Sequence, residues 1–299
     1  MYSDEFGCIP VPFRVDWGSG SIEPVGDFEE AASWLTEVAH PDGFVYPPQS
    51  ETVTVGVDGT TTRVPKTRRP AHLWSPPATH RITLPGAPPG EENRRQLAGF
   101  VIHFAAFLYG YRAQFTEWWV DGRLPAVSRT DLVTQALRES HLRVCFTKAV
   151  AAWTTWGERS RRVIGNAFYF YNRAPMYEWD WEQFQGEYQV LDAFYAVARA
   201  ELGAPKARHH ERLASLCLKF SVQSDAGVFD AIASYRNDLT HEILWGQGMP
   251  GEGFGEGFRK TMLLRNINRR IGLGLLGIES GYVRSPWRSQ LSHMLALNP

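Results

Sequence analysis

The sequence predicts a mainly α protein: an antiparallel helical bundle on its C-terminal side, preceded by a small β-containing module. Three observations predict it. Apolar residues recur at spacings of three and four through most of residues 91–278. Thirteen of the 19 prolines fall in the first ninety residues, where Val and Thr alternate instead. The 11 Trp, 11 Tyr and 17 Phe supply enough area to fill a sizeable core, which argues against disorder.

Residues 1–90 are expected to form the β-containing module. Asp27 to Ala39 predicts one short helix, with Asp27 as a cap, Glu29 and Glu30 in the first turn and Pro41 beyond its end. Thr52 to Val64 predicts a β-hairpin turning at Asp58-Gly59, a pair that tolerates positive φ. Arg81 to Leu84 predicts a further strand.

Residues 91–299 are expected to form the bundle. Glu91 to Asp121 carries Phe100, Phe104, Phe107, Leu108 and Tyr111 on one helical face, and Gly122 and Pro125 should end it. A second helix should begin at Ser128, with Leu132, Ala136 or Leu137, Leu142, Cys145 and Val150 inward and a break near Gly157. Trp179 to Leu202 is a third, striped by Phe184, Tyr188, Leu191, Tyr195 and Ala198 and stopped by Gly203 and Pro205. His210 to Val222 and Asp225 to Trp245 follow. Gly246 to Gly257 is a glycine-rich connection, and Phe258 to Ile278 closes the bundle with Met262, Ile267, Ile271 and Leu275 inward.

Charge limits the choice of partner. With 31 basic against 32 acidic residues, the net charge is −1, so a general nucleic-acid coat is excluded and any RNA contact must be local. Cys8, Cys145 and Cys217 are too few and too far apart for a disulfide framework or a Cys-x-x-Cys metal pair, which points to a reduced cytoplasmic setting. The N-terminus lacks the basic start and apolar run of a signal peptide, and no stretch reaches the ~18 apolar residues of a membrane span.

The segment with chemistry in it is DAIASYRNDLTHEILWG, Asp230 to Gly246. On a helix, Asn237 and His241 lie one turn apart on a shared face, and Arg236 on an adjoining face is long enough to reach the same cleft. A histidine titrates nearest to neutral pH, so it can take or give a proton. An arginine keeps its charge and presents a planar fork that fits phosphate oxygens. RNA carries its own nucleophile, the 2′-hydroxyl. A base and a cation therefore suffice to cut it, leaving a 2′,3′-cyclic phosphate and a 5′-hydroxyl.

Arg236-Asn237-x-x-x-His241 resembles the RNxxxH signature of the HEPN superfamily of ribonucleases, including the apolar Ile243 and Leu244 after the histidine. More loosely, the run RNDLTHE with a long helix at Trp179 to Leu202 ahead of it resembles ApeA-like HEPN domains. The resemblance spans residues 91–299 and is motif-grade over six of them. A bare Arg-x4-His is weak, with roughly one match expected by chance. Arg288 to His293 is such a match, but it lacks the Asn. The resemblance implies His241 as acid/base, Arg236 on the scissile phosphate and Asn237 orienting His241 or the phosphate. It also implies a homodimer whose two motif helices line one cleft, with no cofactor and no metal. A role in bacterial antiviral defence or as a toxin follows by the same analogy, with the N-terminal module sensing a trigger or binding a regulatory partner. The alternative is a catalytically inactive HEPN-like interaction module. In a purely structural account, Arg236 pairs with Asp238 or Glu242 on a solvated face.

Other clusters read as structural. Adjacent His209 and His210 on a helix point about 100° apart, and with Glu211 they are read as a helix start. Glu182, Glu187 and Asp192 lack the Glu-x-x-His pairs of a di-iron bundle. Phe168 to Tyr171 and the Trp179–Trp181 pair are read as core or interface, and Arg159, Arg161 and Arg162 as a solvated face. Gly251 to Gly257 has no Lys-Ser/Thr pair and is not a P-loop.

Overall fold

The computed structural model describes residues 1–47, 49–70, 73–87, 90–133, 137–244, 256–288, 294–295 and 297. It is mainly α, with a small antiparallel sheet built chiefly from the N-terminal segment.

The strands come first. They are β1 (Tyr2–Gly7), β2 (Val15–Asp16), β3 (Ser21–Pro24), β4 (Phe44–Val45), β5 (Gln49–Val55), β6 (Thr61–Pro70), β7 (Leu73–Trp74) and β8 (Ala78–Leu84). After the first bundle helix come β9 (Gln114–Phe115), β10 (Val120–Asp121) and β11 (Leu124–Pro125). The five-stranded sheet runs β2-β3-β8-β1-β9. Tyr2 pairs with Leu84 and Phe6 with His80, and the register shifts at Gly7. A side chain cannot fit there, because a Cβ on Gly7 would lie 2.3 Å from the Pro77 carbonyl oxygen. The expected hairpin is present as β5–β6, with Val53 opposite Arg63 and Val55 opposite Thr61. Helix α1 (Phe28–Glu37) also forms where the sequence places it, although the Asp27 side chain makes no capping bond.

The bundle helices are α2 (Glu91–Arg94), α3 (Leu97–Tyr109), α4 (Glu139–Thr155), α5 (Glu158–Arg173), α6 (Asp180–Leu202), α7 (Arg212–Lys219), α8 (Ala226–Asn237), α9 (Glu256–Leu275) and α10 (Gly281–Arg284). Helix α3 is their axis. Every residue from Ala98 to Tyr109 is buried, not one face only, as befits a helix with strand β8 against it as well as α4 and α5. Its Phe100 stacks on Trp153, and its Phe107 meets Phe168 and Tyr171 edge-on or tilted.

Four expectations are corrected. The helix expected over Glu91–Asp121 is split at Arg95-Gln96 into α2 and α3, and α3 stops at Tyr109, because Gly110 takes a left-handed conformation at φ 72° and the chain then turns back into β9 and β10. The next helix starts at Glu139 rather than Ser128. Before it, Asp131 is drawn into the core by Arg270 and Tyr282, while Ala136 lies outside the described residues. The last long helix turns Met262 outward, 40% exposed, while Ile267, Ile271 and Leu275 are buried as expected. The helix from Asp225 leaves regular α geometry after Asn237; its predicted end, Trp245, lies outside the described residues, as does most of the Gly246 to Gly257 connection.

The composition change at residues 90/91 is not where sheet and helices part. Strands β9, β10 and β11 lie beyond it yet pair with β1, β7 and β4. One hydrophobic core also takes in Phe6 and Ile82 from the sheet with Phe104 and Phe168 from the bundle. No described helix is long and apolar enough to cross a membrane.

Candidate active site

Helix α8 begins at Asp225, whose carboxylate accepts the Val228 backbone N–H at 3.2 Å. Phe229, Ile232, Ala233 and Tyr235 bury its inner face. The helix then widens. Asp238–Glu242 forms a π-helical turn, in which the Ile243 N–H reaches back five residues to the Asp238 carbonyl. Leu239 is the buried anchor of this turn, and Ile243 ends it in a left-handed conformation at φ 57°, a rare state for a β-branched residue.

The widening brings Arg236 and His241 together. In a regular α-helix, residues five apart diverge by roughly 140° around the axis. The wider turn narrows that angle, the long Arg236 side chain spans the rest, and Arg236 Nη1 sits 3.1 Å from His241 Nε2. The same Nη1 donates to Asn237 Oδ1, also at 3.1 Å. All three residues of the sequence motif thus meet at one point. Asn237 takes a part the sequence did not assign to it: its carbonyl oxygen holds the Arg236 guanidinium, not His241.

A guanidinium can only donate hydrogen bonds. His241 Nε2 must therefore be the accepting nitrogen, which leaves the proton of the neutral ring on Nδ1. Asn237 and His241 are exposed and Arg236 is half-buried. Arg236 bonds to neither Asp238 nor Glu242, and among the described residues it forms no ion pair with a carboxylate. Its charge is held by two neutral acceptors and by the face of Tyr188, whose ring centre lies 5.8 Å from Cζ.

Sequence reasoning missed the floor of this site. Tyr188 on α6 was expected only as part of a core stripe, yet its hydroxyl lies 3.1 Å from His209 Nδ1. His209 Nε2 lies 3.6 Å from Asp192 Oδ2, and Asp192 Oδ1 accepts from Arg212 Nη1 at 2.8 Å. Burial, and after it the Asp192 charge, push the Tyr188 phenol up to about 12, with Arg236 and Arg212 opposing. The phenol therefore keeps its proton at ordinary pH. The only spacing that hinted at this group is that of Tyr188 and Asp192, four apart on one helix face; His209 arrives from another element.

The remaining candidates fall out as structure. His209–Glu211 is a 3-10 turn opening α7, with the Glu211 carboxylate accepting the Arg208 backbone N–H at 2.8 Å. Glu187 is sealed in the core against Arg265 and Asn268. Phe168 and Tyr171 are fully buried, whereas Trp179 is 47% exposed. In the second Arg-x4-His pair, Arg288 bonds Asp225 and His293 lies outside the described residues. All three cysteines are free and buried, and burial pushes each thiol up to about 12.

No protein-family model matches the chain, and no curated protein or solved structure is significantly similar to it.

Proposed function

We propose that this chain is a metal-independent endoribonuclease of the HEPN type, with Arg236, Asn237 and His241 as its site. The observation that carries the reading is the contact at the end of α8. A guanidinium without a carboxylate partner among the described residues touches an exposed imidazole through the nitrogen that must act as base.

The contacts of Arg236 support the following order of events in this reading. In the free protein Arg236 occupies the lone pair of His241 Nε2. A phosphodiester offers the guanidinium anionic oxygens that can take two of its parallel N–H groups at once, which a single imidazole nitrogen cannot. As the phosphate draws Arg236 over, Nε2 is released to take the proton of the 2′-hydroxyl. That oxygen attacks the adjacent phosphorus, the bond to the 5′-oxygen breaks, the departing oxygen takes the proton back from the His241 imidazolium to leave as a 5′-hydroxyl, and a 2′,3′-cyclic phosphate remains. Arg236 stabilises the charge on the crowded phosphorane, and Asn237 keeps its fork in place. DNA lacks the attacking hydroxyl and should resist.

A homodimer belongs to the same reading. Ile243 and Leu244 are 68% and 48% exposed immediately beyond His241, an apolar edge that a second copy would cover while bringing its own motif helix. The reading further includes a cytoplasmic defence or toxin role, with the N-terminal sheet meeting a regulator.

The test is to incubate the full chain and its His241→Ala variant with a mixed RNA pool in EDTA, alongside DNA of the same sequences. Cleavage of RNA alone, ending in cyclic phosphate and abolished in the variant, is expected. Cleavage that persists in His241→Ala, or that ends in a 3′-hydroxyl, overturns the mechanism; intact RNA at every condition favours an interaction module instead.

A further inference from the structure

Beneath Arg236 runs a polar chain that the proposed chemistry does not use. Tyr188 and Asp192 share one face of α6. The Tyr188 ring faces the Arg236 guanidinium, and its hydroxyl meets His209 Nδ1 at 3.1 Å. The opposite nitrogen of that imidazole faces Asp192, and Asp192 is held in turn by Arg212, which lies over the Tyr195 ring at 5.0 Å. The turn carrying His209 packs against α8, so the chain leads from the middle of α6 to the edge of the motif helix. Tyr188 is 6% exposed, whereas the His209 and Asp192 side chains are 34% exposed each. Packing alone does not call for two half-solvated polar groups in line behind one aromatic ring.

We propose that Tyr188, His209 and Asp192 are positioning residues for Arg236. An arginine has many rotamers and loses considerable freedom when it is confined. A ring fixed at its hydroxyl end offers that guanidinium one resting face, and so sets where it meets both the phosphate and His241. The effect on turnover rests on the ribonuclease reading; the placing of Arg236 can be measured without any substrate.

The experiment uses the full chain with Tyr188→Phe, which keeps the ring and removes the hydroxyl link, and with His209→Gln, a change at a half-exposed turn that the core does not depend on. Arg236→Ala provides the spectrum of an unheld His241. The ¹⁵N resonances of the His241 ring are recorded for each, and kcat and KM are measured on RNA. In both variants the His241 signals are expected to move part of the way towards those of Arg236→Ala. There kcat should fall about tenfold with KM little changed, because the charge is still present but its placement is not. Wild-type His241 signals in both variants overturn the proposal, as does an Arg236→Ala spectrum identical to wild type. If the wild-type chain leaves RNA intact, the ribonuclease reading fails by itself, and the ring resonances still decide the positioning.

Discussion

Three arginines on helix α9 and the one on helix α8 are treated in opposite ways. Arg265, Arg269 and Arg270 on α9 point into the bundle and are tied to fixed acceptors there. Arg265 bonds Glu187 at 2.5 Å and the Tyr171 carbonyl at 2.7 Å; Arg270 bonds Asp131 at 2.9 Å. Arg269 reaches the Tyr171 hydroxyl at 3.0 Å and the Phe107 carbonyl. A charge taken out of water must be matched in this way or it costs several kcal/mol. Arg236 at the end of α8 is half-buried and leans on an amide oxygen and an imidazole nitrogen, neither of which cancels its charge. The first set is committed to the fold, whereas the second holds an uncancelled cation beside a base. The histidines divide likewise: His80 and His103 are sealed in the interior, and His241 faces solvent.

The contrast can be broken from either side. The largest effect should come from acid. Burial pushes both His80 and His103 down to about 3 from an ordinary 6.5, so the folded state binds fewer protons than the unfolded one. Their contribution to stability is present above pH 6.5 and is lost as the pH falls towards 3. Urea titrations across that window should show stability dropping by about 1 kcal/mol per pH unit for each histidine; a flat profile would remove these two groups from the account.

Next in size is Glu187→Ala. It strands the Arg265 charge in the core and should cost about 3–5 kcal/mol in thermal or chemical unfolding. A loss below about 1 kcal/mol would mean that water reaches this pair. Arg236→Ala should do the reverse. Stability should stay within about 0.5 kcal/mol of wild type, while RNA cleavage drops about a hundredfold or more. Arg236→Lys keeps the charge but loses the fork, so it should fall between the two in a cleavage assay. The smallest effect should come from Ile243→Gly, which relieves a left-handed β-branched residue and should shift unfolding by no more than about 1 kcal/mol in either direction.

Much of the helical frame could be read directly. The stripe on α6 and its stop at Gly203, the break at Gly157 and the hairpin about Asp58-Gly59 follow from local rules of periodicity and turn chemistry. What escaped was set by partners distant in sequence. Nothing within residues 110–125 shows that Gln114 and Phe115 will pair with Gly7 and Phe6, and that pairing replaces the last turns of the expected helix. The site was legible in the same proportion. Arg236, Asn237 and His241 stand out by spacing, and the structure gathers them. The widened turn that gathers them has no sequence rule, and Tyr188 and His209 are linked only because α6 and the start of α7 meet beside α8.

That turn makes the winding of the backbone a chemical parameter. At ordinary α pitch and with the same five-residue spacing, the imidazole would lie roughly 140° round the axis from Arg236. Guanidinium and ring would then be parted although every side chain of the motif was still present. In this protein the loop size of a single backbone hydrogen bond keeps the His241 imidazole and the Arg236 guanidinium within reach of each other.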